Sequence, residues 1–358
     1  MSNWVTFAEE LGFLEPKSCS IDALDSFTKN LENRAAYLDP HILRNFNDYR
    51  FPQKRFPHAK SVISLALPYY HKPTYSNMGD FSPFSIYCQG KDYHLIFKSL
   101  LKEYLMKLKR VYPSYFFEGF SDTGPILDRA AATASGLGYL GYNTCVIHPK
   151  YGSFVFLGTV LTDLPLDEEE FLGPCKRCKA CIKACPTGAI REPYLLDNNI
   201  CISALTQTKG FLNLKQMEMI KGHIFGCDIC QLVCPHNKNL PSSSMITPFY
   251  KLQDPPLMSL VYPDAETKRL IKQSAAGWRG ITTIRRNALI AIAFSEADLN
   301  LEILKKVARE DSSHLIRAYS AFCIQKRTGD KSLWTEILSA ASSLECLTEF
   351  YISVKDSC

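Results

Sequence analysis

Eight of the fourteen cysteines in this 358-residue chain fall between Cys175 and Cys234, at spacings that suit metal chemistry. A thiolate is a soft ligand, and four together hold either zinc or an iron–sulfur cluster. In CKRCKACIKACP, Cys175, Cys178, Cys181 and Cys185 follow CxxCxxCxxxC, with Pro186 behind. In such a run the first three thiolates take one cluster and the fourth serves a second. That demands a second half, and Cys227, Cys230 and Cys234 supply it as CxxCxxxC, closed by Pro235. Cys201 stands between the two runs and completes the set. One 4Fe–4S cluster is therefore expected on Cys175, Cys178, Cys181 and Cys234, the other on Cys227, Cys230, Cys201 and Cys185. Spacing leaves open two zinc sites, or an exchange of Cys185 with Cys234. Two adjacent clusters make a short electron wire. A simple ferredoxin is far shorter than this chain, so most of the sequence must serve whatever receives the electrons.

The other cysteines, Cys19, Cys88, Cys145, Cys323, Cys346 and Cys358, follow no pattern and read as small buried or surface residues. With 46% hydrophobic and 22% charged residues, the composition is that of a soluble globular protein long enough for two or three domains. The start, MSNWVTFAEELGFLEP, reads as an amphipathic acidic helix and not as a signal peptide. No apolar run approaches the ~20 residues of a membrane span. The expected setting is the cytoplasm, where thiols stay reduced. A formal charge of +5 permits an acidic partner such as RNA without arguing for one.

Strands and helices alternate up to about residue 165. KSVISLALPYY (60–70), YFFEGF, TCVIHP and SFVFLGTVL read as strands. Residues 92–113 have helical apolar spacing, and SDTGPILDRAAATASG (121–136) reads as a helix with Pro125 in its first turn and Gly136 at its end. This predicts an α/β layer. GLGYLG (136–141) fits GxGxxG but follows a helix and enters a strand, which excludes the dinucleotide reading. Its glycines serve helix termination or the close approach of a large flat ligand. The acidic DLPLDEEEF links this layer to the cysteine segment. Beyond residue 245 helical stretches succeed one another. IRRNALIAI (284–292) matches IRAYSAFCI (316–324), which points to stacked hairpins of HEAT type. Three domains are expected: α/β over 1–165, ferredoxin-like over 166–245 and all-α over 246–358. Lys268, Arg269, Lys272, Arg279, Arg285, Arg286 and Arg317 form either a phosphate-binding surface or a solvated helical face.

Four stretches together resemble the epoxyqueuosine reductase family: IFGCDICQLVCPHN (224–237), EPYLLDNNICISALT (192–206), SDTGPILDRAAATASGLGYLGYNT (121–144) and GKDYH (90–94). The resemblance runs in order over about residues 50 to 295. It implies a cobalamin enzyme with two 4Fe–4S clusters that acts on the wobble nucleotide of certain tRNAs. It implies Asp122 as proton donor, with Arg129 beside it, and Asp122 kept protonated by desolvation. It places Ser203, Asp228 and Cys227 at cobalamin-contacting positions of the cluster segment, with Tyr87, Cys88 and Asp122 as further contacts. His236 stands where tryptophan is expected, and Tyr142 where the family often has lysine. Arg279, Arg285, Arg286 and Arg317 would face the anticodon stem-loop. The reading calls for an external reductant of flavodoxin or ferredoxin type, no membrane, and a monomer. A cobalamin-dependent reductive dehalogenase acting on a small substrate is the alternative; it usually carries a twin-arginine export signal, which the start of this chain does not show.

Overall fold

The computed structural model describes residues 3–28, 36–37, 46–72, 84–122, 124–167, 172–173, 175, 177–296, 299–340 and 345–356. Residues 168–171 of the acidic linker, and Cys358, lie outside the described residues. The chain divides into two compact units, each assembled from segments distant in sequence. The first takes Met1–Lys72, Tyr93–Asn198 and Ile229–Thr247; the second takes Pro73–Asp92, Asn199–Asp228 and Pro248–Cys358. The sequence-based boundaries at 165 and 245 both fall inside the first unit.

The first unit is built on a sheet of β1 (Lys17–Ser20), β2 (Ser61–Pro68), β3 (Phe117–Phe120) and, after two short strands, β6 (Val155–Thr162). The short strands, β4 (Tyr139–Leu140) and β5 (Val146–Ile147), form a hairpin; β7 (Ile190–Glu192) and β8 (Leu195–Leu196) form another. The sheet order is β1-β2-β6-β3, and every pairing is antiparallel. This corrects the α/β expectation to α+β. Alternation of strands and helices records order along the chain; it does not fix the direction in which a strand re-enters the sheet.

Every residue of β2 is buried, so both faces of the sheet are covered. On one face lies the helix Tyr93–Val111, whose buried residues Phe97, Leu101, Tyr104 and Leu108 recur at spacings of four, three and four. It approaches closely because the sheet presents glycine beneath it. A Cβ on Gly119 would stand 2.9 Å from the Leu101 side chain, and one on Gly158 would run into the Phe97 ring. On the other face the short helix Asp128–Ala134 uses alanines. Ala131 and Ala134 pack with Val62 and Leu161, and Ala132 packs with Ala66 and Val146.

That helix begins at Asp128 and not at residue 121, so Asp122 and Pro125 precede it. Gly136, at φ +73°, closes the turn after it, as expected for helix termination. The other glycines of GLGYLG serve the close packing of the hairpin. A Cβ on Gly138 would meet Val146 and the Ile147 carbonyl, and one on Gly141 would meet Asn143.

In the second unit, every described element from Tyr250 onward is helical. The matched segments occupy the helices Ile281–Ala293 and His314–Thr328. Their equivalent residues Ile284 and Ile316, and Ile292 and Ile324, are all fully buried. Arg286 is fully buried as well, which corrects its assignment to a phosphate-binding surface. Its guanidinium donates to the carbonyls of Thr208 and Gly210 and to Asn287. Asn287 in turn donates to the Thr206 and Ile224 carbonyls, both at 2.7 Å. Such groups fasten loops whose own carbonyls lack helical partners.

Gly158→Ala is expected to lower stability by about 1–3 kcal/mol, because the added methyl displaces either the Phe97 ring or the strand. Denaturant titration checks this; an unchanged midpoint would mean that the helix rides free of the sheet.

Candidate active site and cluster-binding segment

In the first unit, Cys175, Cys178, Cys181 and Cys234 line one cavity of about 400 Å³, together with Tyr142, Asn143, Ile147, Lys179, Pro235 and His236. These are the four thiols that the spacing assigned to the first cluster. The backbone turns them inward by left-handed residues on either side of Cys178, Arg177 at φ +62° and Lys179 at φ +59°. Cys181 then sits in the helix Ala180–Ala184, and Cys234 immediately precedes the turn Pro235–Asn237. Among the described residues, no three thiol, imidazole or carboxylate groups converge on one point as the ligands of a single ion would. Thiols around a cavity instead fit the corners of a cubane cluster. Burial, and then the neighbouring Cys230, push the Cys181 thiol up to about 11; burial raises Cys234 as well. Electropositive iron in the cavity would reverse that penalty and hold the sulfurs as thiolates.

Tyr142, in the position where lysine was expected, is a wall of this cavity and packs edge-on against Tyr194 at 5.1 Å. His236 lies 5.5 Å from Tyr139. Of the other four cysteines expected as ligands, Cys185 and Cys230 belong to the first unit, and Cys201 and Cys227 to the second.

Asp122 lies in the turn after β3, at φ +59°. An L-residue rarely adopts that conformation without support. Here Asp128 accepts the Asp122 backbone N–H at 2.9 Å through Oδ2, while its Oδ1 accepts the Thr159 hydroxyl of β6 at 3.1 Å. The Asp122 carboxylate, 45% exposed, accepts a hydrogen bond from the Tyr93 hydroxyl and lies 3.2 Å from His94 Nε2. Tyr93 is itself fixed, stacked flat on Phe156 at 3.9 Å. Arg129 donates to the Thr144 carbonyl at 3.0 Å and to its hydroxyl at 3.2 Å, which leaves it an electrostatic neighbour of Asp122.

Burial raises the Asp122 pKa, but the hydrogen bonds from His94 and Tyr93, with the charges of His94 and Arg129, outweigh it and hold the carboxyl below its ordinary value. Desolvation therefore does not keep Asp122 protonated, as the sequence reading expected. Asp128 goes the other way: burial, and then the Asp122 charge, push it up to about 7. Tyr93, His94 and Asp128 were missed as functional residues. GKDYH was the available signal for the first two, whereas nothing in the sequence separated Asp128 from an ordinary helix-start aspartate.

In the second unit, Asp228 is fully buried, and its carboxylate accepts the Ser85 hydroxyl and, at 2.7 Å, the Ile86 N–H. Cys88 is also fully buried, its thiol 3.1 Å from the Ser85 carbonyl. Neither has surface to offer a cofactor, which corrects their assignment as contacts. They fix the turn Ile86–Cys88 and so position Tyr87. Tyr87, Ser203 and Cys227 remain half-buried, with surface open for polar contacts to a corrin. Arg279 lies over the Trp278 ring at 3.6 Å. Arg285 pairs with Asp311 and donates to the Val261 carbonyl at 2.8 Å, and Arg317 contacts the His314 ring.

Comparison with known proteins is consistent along the chain. A family model described as "Epoxyqueuosine reductase QueG, DUF1730" matches residues 50–123, and one described as "4Fe-4S double cluster binding domain" matches residues 174–237. An epoxyqueuosine reductase of Bacillus cereus is 33% identical over 319 residues, covering 84% of this chain and 80% of the relative. That of Bacillus subtilis is 31% identical over 358 residues, covering 94% and 89%. Among solved structures, an epoxyqueuosine reductase with an epoxyqueuosine-modified tRNA-Tyr stem loop superposes with a TM-score of 0.86 at 29% identity, covering 98% of this chain and 97% of that one. A Bacillus subtilis epoxyqueuosine reductase, solved with its catalytic aspartate loop swung out of the active site, gives 0.85 at 29% identity, again covering 98% and 97%.

Between pH 4 and 7 the folded chain retains a proton on Asp128 that the unfolded chain releases. The stability Asp128 contributes is therefore fullest below about pH 4 and is lost as the pH rises to about 7. Asp128→Asn is expected to flatten that decline, by at most about 1.4 kcal/mol per pH unit. Denaturant midpoints across this range test it; an unaltered slope would place the titration elsewhere.

Proposed function

The chain belongs to the epoxyqueuosine reductase family, and on that premise we propose how its own residues reduce epoxyqueuosine to queuosine at the wobble position of tRNA. Removing the epoxide oxygen takes two electrons and two protons and leaves an alkene and water. Side chains cannot supply the electrons; cobalamin, fed by two 4Fe–4S clusters, provides them when bound. The cavity thiols Cys175, Cys178, Cys181 and Cys234 would hold one cluster, and Cys185, Cys201, Cys227 and Cys230 would supply the other. Tyr87, Ser203 and Cys227 offer polar contacts to the cobalamin. An external reductant of flavodoxin or ferredoxin type refills the clusters, and the chain acts as a cytoplasmic monomer. A dehalogenase-like activity is not favoured, because the relatives that match most of this chain are epoxyqueuosine reductases.

Asp122 delivers a proton to the opening epoxide oxygen. Its carboxyl is ionised at neutral pH as the site stands, so each turnover must first protonate it. Tyr93 and His94, already bonded to it, are the route. Arg129, held on Thr144, keeps positive charge at the site and orients the ring diol. The relative solved with its catalytic aspartate loop swung out supports a loop with two positions, and in this chain the hold on that loop is the Asp122 N–H bond to Asp128. The substrate is an anticodon loop, whose unpaired bases are open to a protein pocket. Arg279 and Arg317 serve the stem phosphates, and Lys268, Arg269 and Lys272 are further exposed cations of the second unit.

One observation carries the assignment of Asp122: a left-handed turn presents its carboxylate to Tyr93 and His94. Asp122→Asn is expected to cut turnover by about 10²- to 10⁴-fold, the usual range for a lost general acid. Iron content and cobalamin absorption should stay at wild-type levels. Nucleoside analysis of tRNA after anaerobic incubation measures the product, and full turnover with both cofactors in place would remove Asp122 from the reaction.

A further inference from the structure

Three tryptophans occur in the chain, and they differ sharply in exposure: Trp4 is 8% exposed, Trp334 2% and Trp278 59%. Trp278 is not a loose surface ring. It lies in the turn Ala275–Arg279, which packs so tightly on the helix Ala265–Gln273 that a Cβ on Gly277 would stand 2.6 Å from the Ile271 carbonyl and 2.9 Å from the Lys272 Cα. The indole N–H donates to Gln207 at 3.3 Å. The Arg279 guanidinium covers one face of the ring at 3.6 Å. With that face covered and 59% of the residue still exposed, the opposite face is bare.

The charge around this ring is mainly basic, although Asp92 reaches the same helix end, its N–H bonded to the Gln273 carbonyl. Lys272 adjoins the turn, Lys268 and Arg269 are exposed on the same helix, and Lys209 is exposed two residues beyond Gln207. The carboxylates at the start of that helix, Asp264 and Glu266, are taken by Lys251 at 3.0 and 2.7 Å. Among the described residues of this unit, the other strongly exposed aromatics, Tyr250 and Tyr262, lack these features: Tyr262 lies two residues from Asp264, and Tyr250 adjoins the Lys251 that pairs with it.

We infer that Trp278 is a stacking platform for an unpaired nucleobase of the RNA substrate, with Arg279 as its cationic backing. This deepens the reading of the second unit as a tRNA-binding element and rests on it. A guanidinium beneath an indole fixes the ring and adds cation–π attraction, while the free face accepts any base by stacking, without hydrogen-bond readout. A duplex stem, whose bases are already stacked, gains nothing from the platform. The basic side chains around it act on phosphate and serve stem and loop alike.

The test uses the cofactor-loaded full chain and two probes, an anticodon stem-loop RNA and a blunt RNA duplex of equal phosphate count, with binding read by anisotropy of a labelled RNA. Trp278→Ala is expected to weaken the stem-loop by about 5- to 150-fold, the cost of one lost base stack, and to leave the duplex unchanged. Trp278→Phe restores most of the affinity. Tyr262→Ala changes neither probe. Wild-type tryptophan emission, dominated by the exposed ring, falls when stem-loop is added and holds steady with duplex. Arg279→Gln lowers the salt slope by about one, whereas Trp278→Ala leaves it unaltered. Equal stem-loop affinity in wild type and Trp278→Ala, or an equal loss on both probes, overturns the inference. A wild-type chain that binds no stem-loop overturns the tRNA reading beneath it, and the inference with it.

Discussion

A left-handed aspartate has to be held by something other than its own preference. At Asp122 the holder is a second carboxylate, Asp128, which takes the backbone N–H and is itself tied to Thr159 in the sheet. The reactive geometry follows from this one bond. It aims the Asp122 carboxylate at Tyr93 and His94, and Tyr93 is braced by Phe156. Two carboxylates close together do not ionise alike, and here the environment sorts them. Asp122, bonded to Tyr93 and His94 and near the charges of His94 and Arg129, stays charged, while Asp128, pushed up by burial and then by the Asp122 charge, keeps its proton toward neutral pH. The result is a charged group at the surface of the site, resting on one whose charge is costly.

The cysteine segment obeys a related electrostatic rule. Cys181 and Cys234 resist ionisation there, first because of burial and then because of neighbouring cysteines. The fold tolerates this because the segment is wound by backbone turns and walled by Tyr142, which Tyr194 packs against, so that its shape does not depend on thiolate charge. A bound cluster then supplies the positive charge that the cavity lacks. In the second unit the equivalent economy is the interior use of Arg286 and Asn287. Both lie on a helix whose repeat pattern predicts burial, and both spend their donors on loop carbonyls.

The sequence by itself determined a good deal. Thiol spacing set eight cysteines apart from the rest, and four of them line one cavity within the stretch matched by the double-cluster model, because ligand geometry imposed by a metal group leaves its period in the chain. The buried run of β2, the stripe of the helix Tyr93–Val111 and the matched isoleucines at 284 and 316 were legible for a similar reason, since burial repeats with the period of the element. Helix termination at Gly136 was legible because few residues other than glycine take that φ.

What only the tertiary structure decided was direction, depth and company. The sheet is antiparallel, although alternating elements read equally well as parallel, because strand polarity depends on how the chain returns through space. Arg286, Cys88 and Asp228 are interior, although an arginine in a basic stretch or a polar residue in a cofactor motif reads as exposed. Burial of a charge depends on partners that arrive from far along the chain: Gly210 for Arg286, Ser85 and Ile86 for Asp228. The protonation of Asp122 was misjudged for the same cause. Its neighbours Tyr93 and His94 lie about thirty residues away, and no local pattern brings a hydroxyl and an imidazole to one carboxylate. Spacing encodes what adjacent residues do together; the fold alone brings distant groups within hydrogen-bonding reach.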